Sequence, residues 1–188
     1  MNAANLATCS RIVLTPVVIA IYLADFHYAH LAAAVVFGIA SFTDWLDGYL
    51  ARRLNLTSEF GAFLDPVADK LLIAGVLVML VSVYPLILTA TVIIIAREIL
   101  VSALREWMAT KGKRAAVAVA FTGKLKTTVQ MIAISALLLA NDDYPFWILQ
   151  IGYAGTYLAA GLSLWSMGLY FQKAWDVLFP SADSGSQS

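Results

Sequence analysis

Asp44-Trp-Leu-Asp47-Gly48-Tyr-Leu-Ala51-Arg52, followed after eight residues by Gly61-Ala-Phe-Leu-Asp65-Pro-Val-Ala-Asp69, decides how the rest of the chain is read. Four carboxylates stand inside two segments that are otherwise apolar enough to span a membrane. A charged side chain near the centre of a membrane helix costs about 2.5–3.5 kcal/mol on insertion scales. Four such charges need a purpose, and hard oxygen ligands in this setting point to a divalent cation. Asp44 and Asp47 are three residues apart, and Asp65 and Asp69 four, so each pair shares a helix face. Asp44 lies about 12 Å along a helix from Arg52, and Asp69 lies at a comparable depth from Phe60. A short turn, Arg53–Glu59, joins the two segments antiparallel. The four carboxylates are therefore expected to converge in one cavity open to the cytoplasmic side.

Converging carboxylates raise one another's pKa, and cations resolve that conflict. One or two Mg²⁺ or Mn²⁺ ions suit an all-oxygen donor set, and the absence of nearby Cys or His argues against zinc. Gly48, Ala51 and Gly61 leave room for a bulky phosphorylated ligand to approach the helix backbone. Gly48 inside a helix costs ~1 kcal/mol relative to Ala, which favours a packing or ligand-access reason. The bland reading of the acids is a transport path or a buried ion-pair network. Four Asp, two Gly, one Ala and one Arg at fixed spacing is a more demanding arrangement than either needs.

Composition agrees with a membrane setting. Of 188 residues, 61% are hydrophobic and 13% charged, with a mean hydropathy of +0.81. Soluble domains have roughly 45–50% apolar and 25% charged residues. The reading is an all-α integral membrane protein of one domain, residues 1–180, with an interfacial N-terminal segment over about 1–11 and a disordered polar tail, 181–188. Twelve basic residues balance twelve acidic ones, so bulk electrostatics predict no nucleic-acid partner. The single cysteine, Cys9, excludes an intramolecular disulfide and reads as structural. The N-terminus lacks a basic n-region and a small-residue cleavage site, so the first apolar segment is expected to be retained.

Polar breaks predict six spans: Ile12–Phe26, Ala29–Arg52, Phe60–Tyr84, Pro85–Met108, Phe121–Ala140 and Tyr144–Phe171. Leu6–Arg11 extends the first as a helix lying along the interface. Arg11, Arg52, Arg53, Arg105, Lys111, Lys113, Arg114, Lys124, Lys126 and Lys173 fall at the N-terminal end, the 2–3 and 4–5 connections and the C-terminal end. The other connections hold no Lys or Arg. The positive-inside rule then puts both termini in the cytoplasm.

The acid-rich stretch resembles the signature of the CDP-alcohol phosphotransferases, D-x-x-D-G-x-x-A-R, eight variable residues, then G-x-x-x-D-x-x-x-D. Asp44, Asp47, Gly48, Ala51, Arg52, Gly61, Asp65 and Asp69 fill it without a departure. The likeness extends over nearly the whole chain, through Arg11-Ile-Val-Leu-Thr-Pro16, Ala96-Arg-Glu98, Ala103-Leu-Arg-Glu-Trp107 and Gly123-Lys-Leu-Lys-Thr127. Those segments are similar to the bacterial branch whose acceptor is sn-glycerol 3-phosphate. The resemblance implies six membrane helices in the bacterial cytoplasmic (inner) membrane, two divalent cations (Mg²⁺ or Mn²⁺), and often a homodimer among membrane lipids. It implies transfer of a phosphatidyl group from CDP-diacylglycerol to glycerol 3-phosphate with release of CMP. It places Asp44, Asp47, Asp65 and Asp69 around the metals and gives Asp69 a second role as general base.

Arg97, Arg105, Lys124 and Lys126 are the candidates for the dianionic acceptor phosphate, which needs cations that form forked or charge-assisted hydrogen bonds. Topology charge and lipid-headgroup contact are the bland reading. That reading is weak for Arg97, which falls within an apolar span beside Glu98. Arg52 continues the Asp face and suits a pyrophosphate; Thr43 and Asn5 are candidate CDP-diacylglycerol contacts. Lys70 points about 100° away from Asp69 and reads as a packing or supporting residue. His27 and His30 read as ordinary interfacial residues, and Trp165, Tyr170 and Trp175 as an aromatic belt. Gly155, Gly161 and Gly168 permit close helix contact within or between chains. Three alternatives compete. One is a relative with another acceptor, such as phosphatidylglycerol or inositol phosphate. The others are an Asp-rich membrane prenyltransferase and a divalent-cation transporter. The transporter is disfavoured because the acids stop in one cytoplasmic half.

Overall fold

The computed structural model describes residues 3–24, 26–54, 59–112 and 121–178, with the side chains of 11–24, 26–43, 67–68, 70–112, 125–175 and 177–178. These residues form six α-helices: α1 (Ala3–Leu23), α2 (Ala29–Leu54), α3 (Glu59–Val83), α4 (Leu88–Thr110), α5 (Phe121–Leu139) and α6 (Phe146–Leu178). No strand occurs among the described residues. The six helices follow the six predicted apolar segments and run beyond them at the chain ends. α1 runs unbroken from Ala3, so Leu6–Arg11 extends the first apolar segment as a helix. It passes through Pro16, whose missing N–H cannot serve the Ile12 carbonyl, and the Thr15 hydroxyl donates to the Arg11 carbonyl at 3.0 Å. At the other end α6 continues past Phe171 to Leu178.

The helix ends have local causes. Pro85 opens a 3₁₀ turn, Pro85–Ile87, that separates α3 from α4. Gly112, at φ 71°, takes the left-handed conformation just beyond α4, and its N–H donates to the Ala109 carbonyl at 3.0 Å. Only glycine adopts that backbone without strain. Between α5 and α6 the Asn141 side chain accepts the Asp143 N–H at 3.1 Å, an Asx turn.

Among the described residues one helix, Pro85–Thr110, is long and apolar enough by itself to cross a membrane, with 26 residues and a mean hydropathy of 2.1. Arg11–Leu23, Ala29–Thr43, Lys70–Val83 and Leu125–Leu139 are shorter apolar helical stretches. α6 is long enough, but Gln150, Thr156, Ser163, Ser166 and its glycines dilute its hydropathy. Large apolar side chains nevertheless cover the outside: Val13, Ile39, Phe42, Val92, Ile99 and Trp165 are all more than half exposed. An apolar surface on this scale is foreign to a monomer in water.

α1 packs against both α2 and α3, α2 against α5, and α6 against α4 and α5. The α5–α6 pair is the most extensive. A Cβ on Gly155 would stand 2.8 Å from the Ala133 Cβ, and one on Gly152 would stand 2.5 Å from Leu137 Cδ2. Gly155 therefore makes its close contact within one chain, whereas nothing lies within 4 Å of a Cβ on Gly161 or Gly168. α4 and α6 run parallel, joined by Arg97–Ser166 and Arg105–Tyr170, and the 3₁₀ turn leading into α4 is joined to α6 by Leu86–Tyr157.

The buried apolar residues form two clusters. The larger joins the helices through residues such as Val18, Phe37, Leu77, Ile94, Leu137 and Ala159. The smaller consists of Val101, Leu104, Met108, Tyr170 and Ala174 on α4 and α6. Gly155→Ala should drive α5 from α6, because Ala133 offers no flexible atom to give way. The expected loss is about 1–3 kcal/mol, read as an earlier thermal transition in detergent. Gly161→Ala should cause no loss; equal losses in the two variants would refute the close-contact assignment.

Candidate active site

The two apolar clusters are separated by a polar layer contributed by α4, α5 and α6. Arg97, on α4, is only 8% exposed, and Lys126, on α5, is 0% exposed. Both cations meet one carboxylate: Glu98 Oε1 accepts from Arg97 Nη1 at 3.2 Å and from Lys126 Nζ. A guanidinium and an ammonium buried this far would be costly unpaired, and Glu98 supplies the counter-charge. From α6, the Ser166 hydroxyl accepts Arg97 Nη2 at 2.9 Å and donates to the Ser163 carbonyl at 3.1 Å.

Arg105 lies eight residues beyond Arg97 on α4. Its Nη2 donates to the Tyr170 hydroxyl at 3.2 Å, and its Cζ lies 5.4 Å from the Tyr170 ring centroid. The Arg97 Cζ lies 5.8 Å from the same ring. One aromatic ring thus serves both arginines. Tyr170 is 4% exposed, so it is not part of an interfacial belt. Its place on the apolar-aromatic C-terminal stretch concealed that in the sequence; its helical spacing from Ser163 and Ser166 was the available signal.

Several buried polar atoms in this region have no protein hydrogen-bond partner among the described residues. They are Arg97 Nε, both amide atoms of Gln130, and Ser163 Oγ. Unmet polar groups at this depth cost free energy unless water or a ligand meets them. Lys126 and Gln130 are four apart on α5 and share a face, so α5 contributes polar atoms over one full turn.

The helices carry the sequence-predicted acids in two pairs, Asp44 and Asp47 on α2 and Asp65 and Asp69 on α3. α1 packs against both helices. The side chains of these four residues, and of Asn5, Gly48, Ala51, Arg52, Gly61 and Lys124, lie outside the described residues. Among the described side chains no three His, Cys, Asp or Glu come together. The donor set itself fits Mg²⁺ or Mn²⁺: four carboxylates, all hard oxygen ligands, with no thiolate or imidazole beside them in the motif. Thr43 is described, and its hydroxyl donates to the Ile39 carbonyl at 2.7 Å. That leaves its oxygen lone pairs for a ligand.

α3 also connects the acid motif to the cation layer. Lys70, the residue after Asp69, lines a cavity of about 290 Å³ between α3 and α4 together with Glu98, Val67 and Ile94. Arg11 was read from the sequence as a topology charge. It is 4% exposed on α1, the helix that touches both acid-bearing helices. The available signal was its place in Arg11-Ile-Val-Leu-Thr-Pro16, one of the segments that carry the family resemblance.

A family model described as CDP-alcohol phosphatidyltransferase matches residues 1–165. The chain belongs to the CDP-alcohol phosphatidyltransferase family. Among curated members it is 48% identical over 179 residues to a protein of Pseudomonas fluorescens, covering 93% of this chain and 91% of that one. It is 45% identical over 175 residues to one of Salmonella choleraesuis (92% and 94% covered) and 44% identical to one of Shigella flexneri serotype 5b (92% and 94%). Each of the three is named CDP-diacylglycerol–glycerol-3-phosphate 3-phosphatidyltransferase. CDP-alcohol phosphatidyltransferases are in general dependent on divalent cations, which agrees with the donor set on α2 and α3.

Glu98→Gln should leave the buried Lys126 ammonium without its counter-charge. Breaking a buried pair by removing one partner costs about 3–5 kcal/mol, and denaturation in detergent should register a loss of that order. The double variant Glu98→Leu, Lys126→Met should recover most of it. A Glu98→Gln protein as stable as the parent would remove the pair from the structural account.

Proposed function

We propose that this protein is a phosphatidylglycerophosphate synthase. It transfers the phosphatidyl group of CDP-diacylglycerol to sn-glycerol 3-phosphate and releases CMP, in phosphatidylglycerol and cardiolipin biosynthesis. The observation that carries this reading is the pairing of a complete acid motif on α2 and α3 with a cation layer on α4 and α5. The names of the relatives supply the acceptor. In this reading the enzyme spans the bacterial cytoplasmic membrane six times, with both termini and the acid cavity on the cytoplasmic side, and acts as a homodimer among membrane lipids. The exposed apolar exterior supports a bilayer setting.

The two substrates come from different phases. The lipid donor enters sideways between helices, and the acceptor comes from the cytoplasm. Asp44, Asp47, Asp65 and Asp69 would hold two divalent cations, which would supply Lewis-acid neutralisation of the pyrophosphate and of departing CMP. Gly48, Ala51 and Gly61 leave the donor nucleotide space against the helix backbones, Arg52 faces the pyrophosphate, and Thr43 and Asn5 hold the nucleotide end. The acceptor phosphate is bound by Arg97 and Arg105, with Lys124 and Lys126 contributing positive charge. Arg97 Nε, which has no protein acceptor among the described residues, is a donor available to that phosphate. Holding the phosphate fixes the glycerol 1-hydroxyl in line with the bond to be broken.

The hydroxyl oxygen attacks the phosphatidyl phosphorus, and the bond from that phosphorus to the CMP oxygen breaks. Asp69 takes the hydroxyl proton as the new P–O bond makes it acidic. Because a strongly coordinated carboxylate is a weak base, Asp69 would serve as base through a weak metal contact or through the acidification of the alcohol as it reacts.

Purified protein given CDP-diacylglycerol and Mg²⁺ should release CMP only when glycerol 3-phosphate is added, and the lipid product should have the mass of phosphatidylglycerol phosphate. CMP release with a different alcohol alone would overturn the acceptor. Absence of release with any acceptor, from folded protein, would favour cation transport. Asp44→Ala, Asp47→Ala and Asp65→Ala should each abolish CMP release; parent-level activity in any of them refutes the metal site. Arg97→Ala and Arg105→Ala should raise the KM for glycerol 3-phosphate about tenfold or more, on the scale of a lost charge-assisted hydrogen bond, while leaving the KM for CDP-diacylglycerol near its parent value.

A further inference from the structure

Tyr170 is buried on α6, yet its ring lies within cation–π range of two guanidiniums from α4, Arg97 at 5.8 Å and Arg105 at 5.4 Å. Its hydroxyl accepts Arg105 Nη2 at 3.2 Å. Arg97 is held from other sides by Ser166 and Glu98. Among the described residues Arg105 has no such additional side-chain partner, so its placement falls to Tyr170.

We propose that Tyr170 is a positioning residue for the acceptor phosphate: its ring and hydroxyl hold Arg97 and Arg105 as a preorganised pair. This rests on the reading of those two arginines as phosphate ligands. Two like charges on one helix repel, and long side chains lose rotamer freedom when fixed. A carboxylate between them would order the pair and also cancel charge that the dianionic ligand needs. The aromatic face attracts both cations through its quadrupole and adds no second carboxylate to the one, Glu98, that already engages Arg97. Tyr170 thereby lowers the ordering cost of binding without touching the reacting atoms.

Steady-state kinetics of the full chain in mixed micelles test this. Tyr170→Leu should raise the KM for glycerol 3-phosphate roughly tenfold, the scale of a desolvated cation–π contact, with kcat and the KM for CDP-diacylglycerol close to parent. Tyr170→Phe keeps the ring and should recover most of the loss. Combining Tyr170→Leu with Arg105→Ala should raise that KM by less than the product of the single effects, since both act through one cation.

An unchanged glycerol 3-phosphate KM in Tyr170→Leu, alongside a raised one in Arg105→Ala, overturns the positioning role while leaving the acceptor site intact. Equal losses for both substrates together with a fall in kcat also overturn it, and reduce Tyr170 to packing. Unchanged KM values in Arg97→Ala and Arg105→Ala overturn the acceptor site itself, and the positioning role with it. If Tyr170→Leu does not fold, Tyr170→Phe and Tyr170→Trp decide. Both keep a ring face, so either showing the full rise of roughly tenfold overturns the role.

Discussion

A lysine ammonium with no exposure to solvent has to be neutralised where it stands, and Glu98 does this for Lys126. The rest of the inner architecture follows from that pairing. Glu98 also engages Arg97, so one carboxylate ties α4 to α5 and orients a second cation toward α6. The apolar core is interrupted at this level, with separate clusters on either side of the charged layer. An apolar replacement of the whole layer would be tolerated by packing and would often be more stable. Keeping two cations on one carboxylate, with Arg105 further along α4, therefore makes sense in terms of an anion to be bound. In the proposed reaction that anion is the acceptor phosphate.

The proposed chemistry is divided between two sets of helices. α2 and α3 carry the acids, and α4 and α5 carry the cations, with α6 behind them. α3 belongs to both sets, because Asp69 is followed at once by Lys70, which lines a cavity with Glu98. An acidic and a basic half-site placed side by side would collapse into ion pairs if nothing held them apart. Helices are stiff enough to hold them, and on the basic side Ser166 and Tyr170 accept hydrogen bonds from Arg97 and Arg105.

Helix number and most helix limits were legible because Pro85, Gly112 and the Asn141–Pro145 stretch act locally. The acid motif was legible because its spacing is set by one helix at a time. What depended on contacts between helices was not. Tyr170 has the composition and position of an interfacial aromatic, and only the approach of α4 shows it turned inward. Arg11 looked like one topology charge among several until its burial was seen. Of three glycines with the same apparent promise, Gly155 meets a neighbouring helix, while Gly161 and Gly168 do not. Gly152, which meets Leu137 more closely still, had no mark in the sequence. The helical extension through Leu6–Arg11 was legible, and α1 absorbs Pro16 without ending there.

The parallel course of α4 and α6 has a consequence for how the chain tolerates change in length. The three cross-links to α6 lie at different depths, and each joins residues of fixed sequence separation: 71 for Leu86–Tyr157, 69 for Arg97–Ser166 and 65 for Arg105–Tyr170. Together they work as a vernier between two rods. A single residue inserted between Tyr157 and Ser166 would turn everything below it by about 100°, leaving the upper mark aligned and both arginine marks off their scale. Substitutions on the outer faces of α6 carry no such penalty. The outer side of this helix is therefore free to vary in chemistry, while the distance between its inward marks is fixed to the residue.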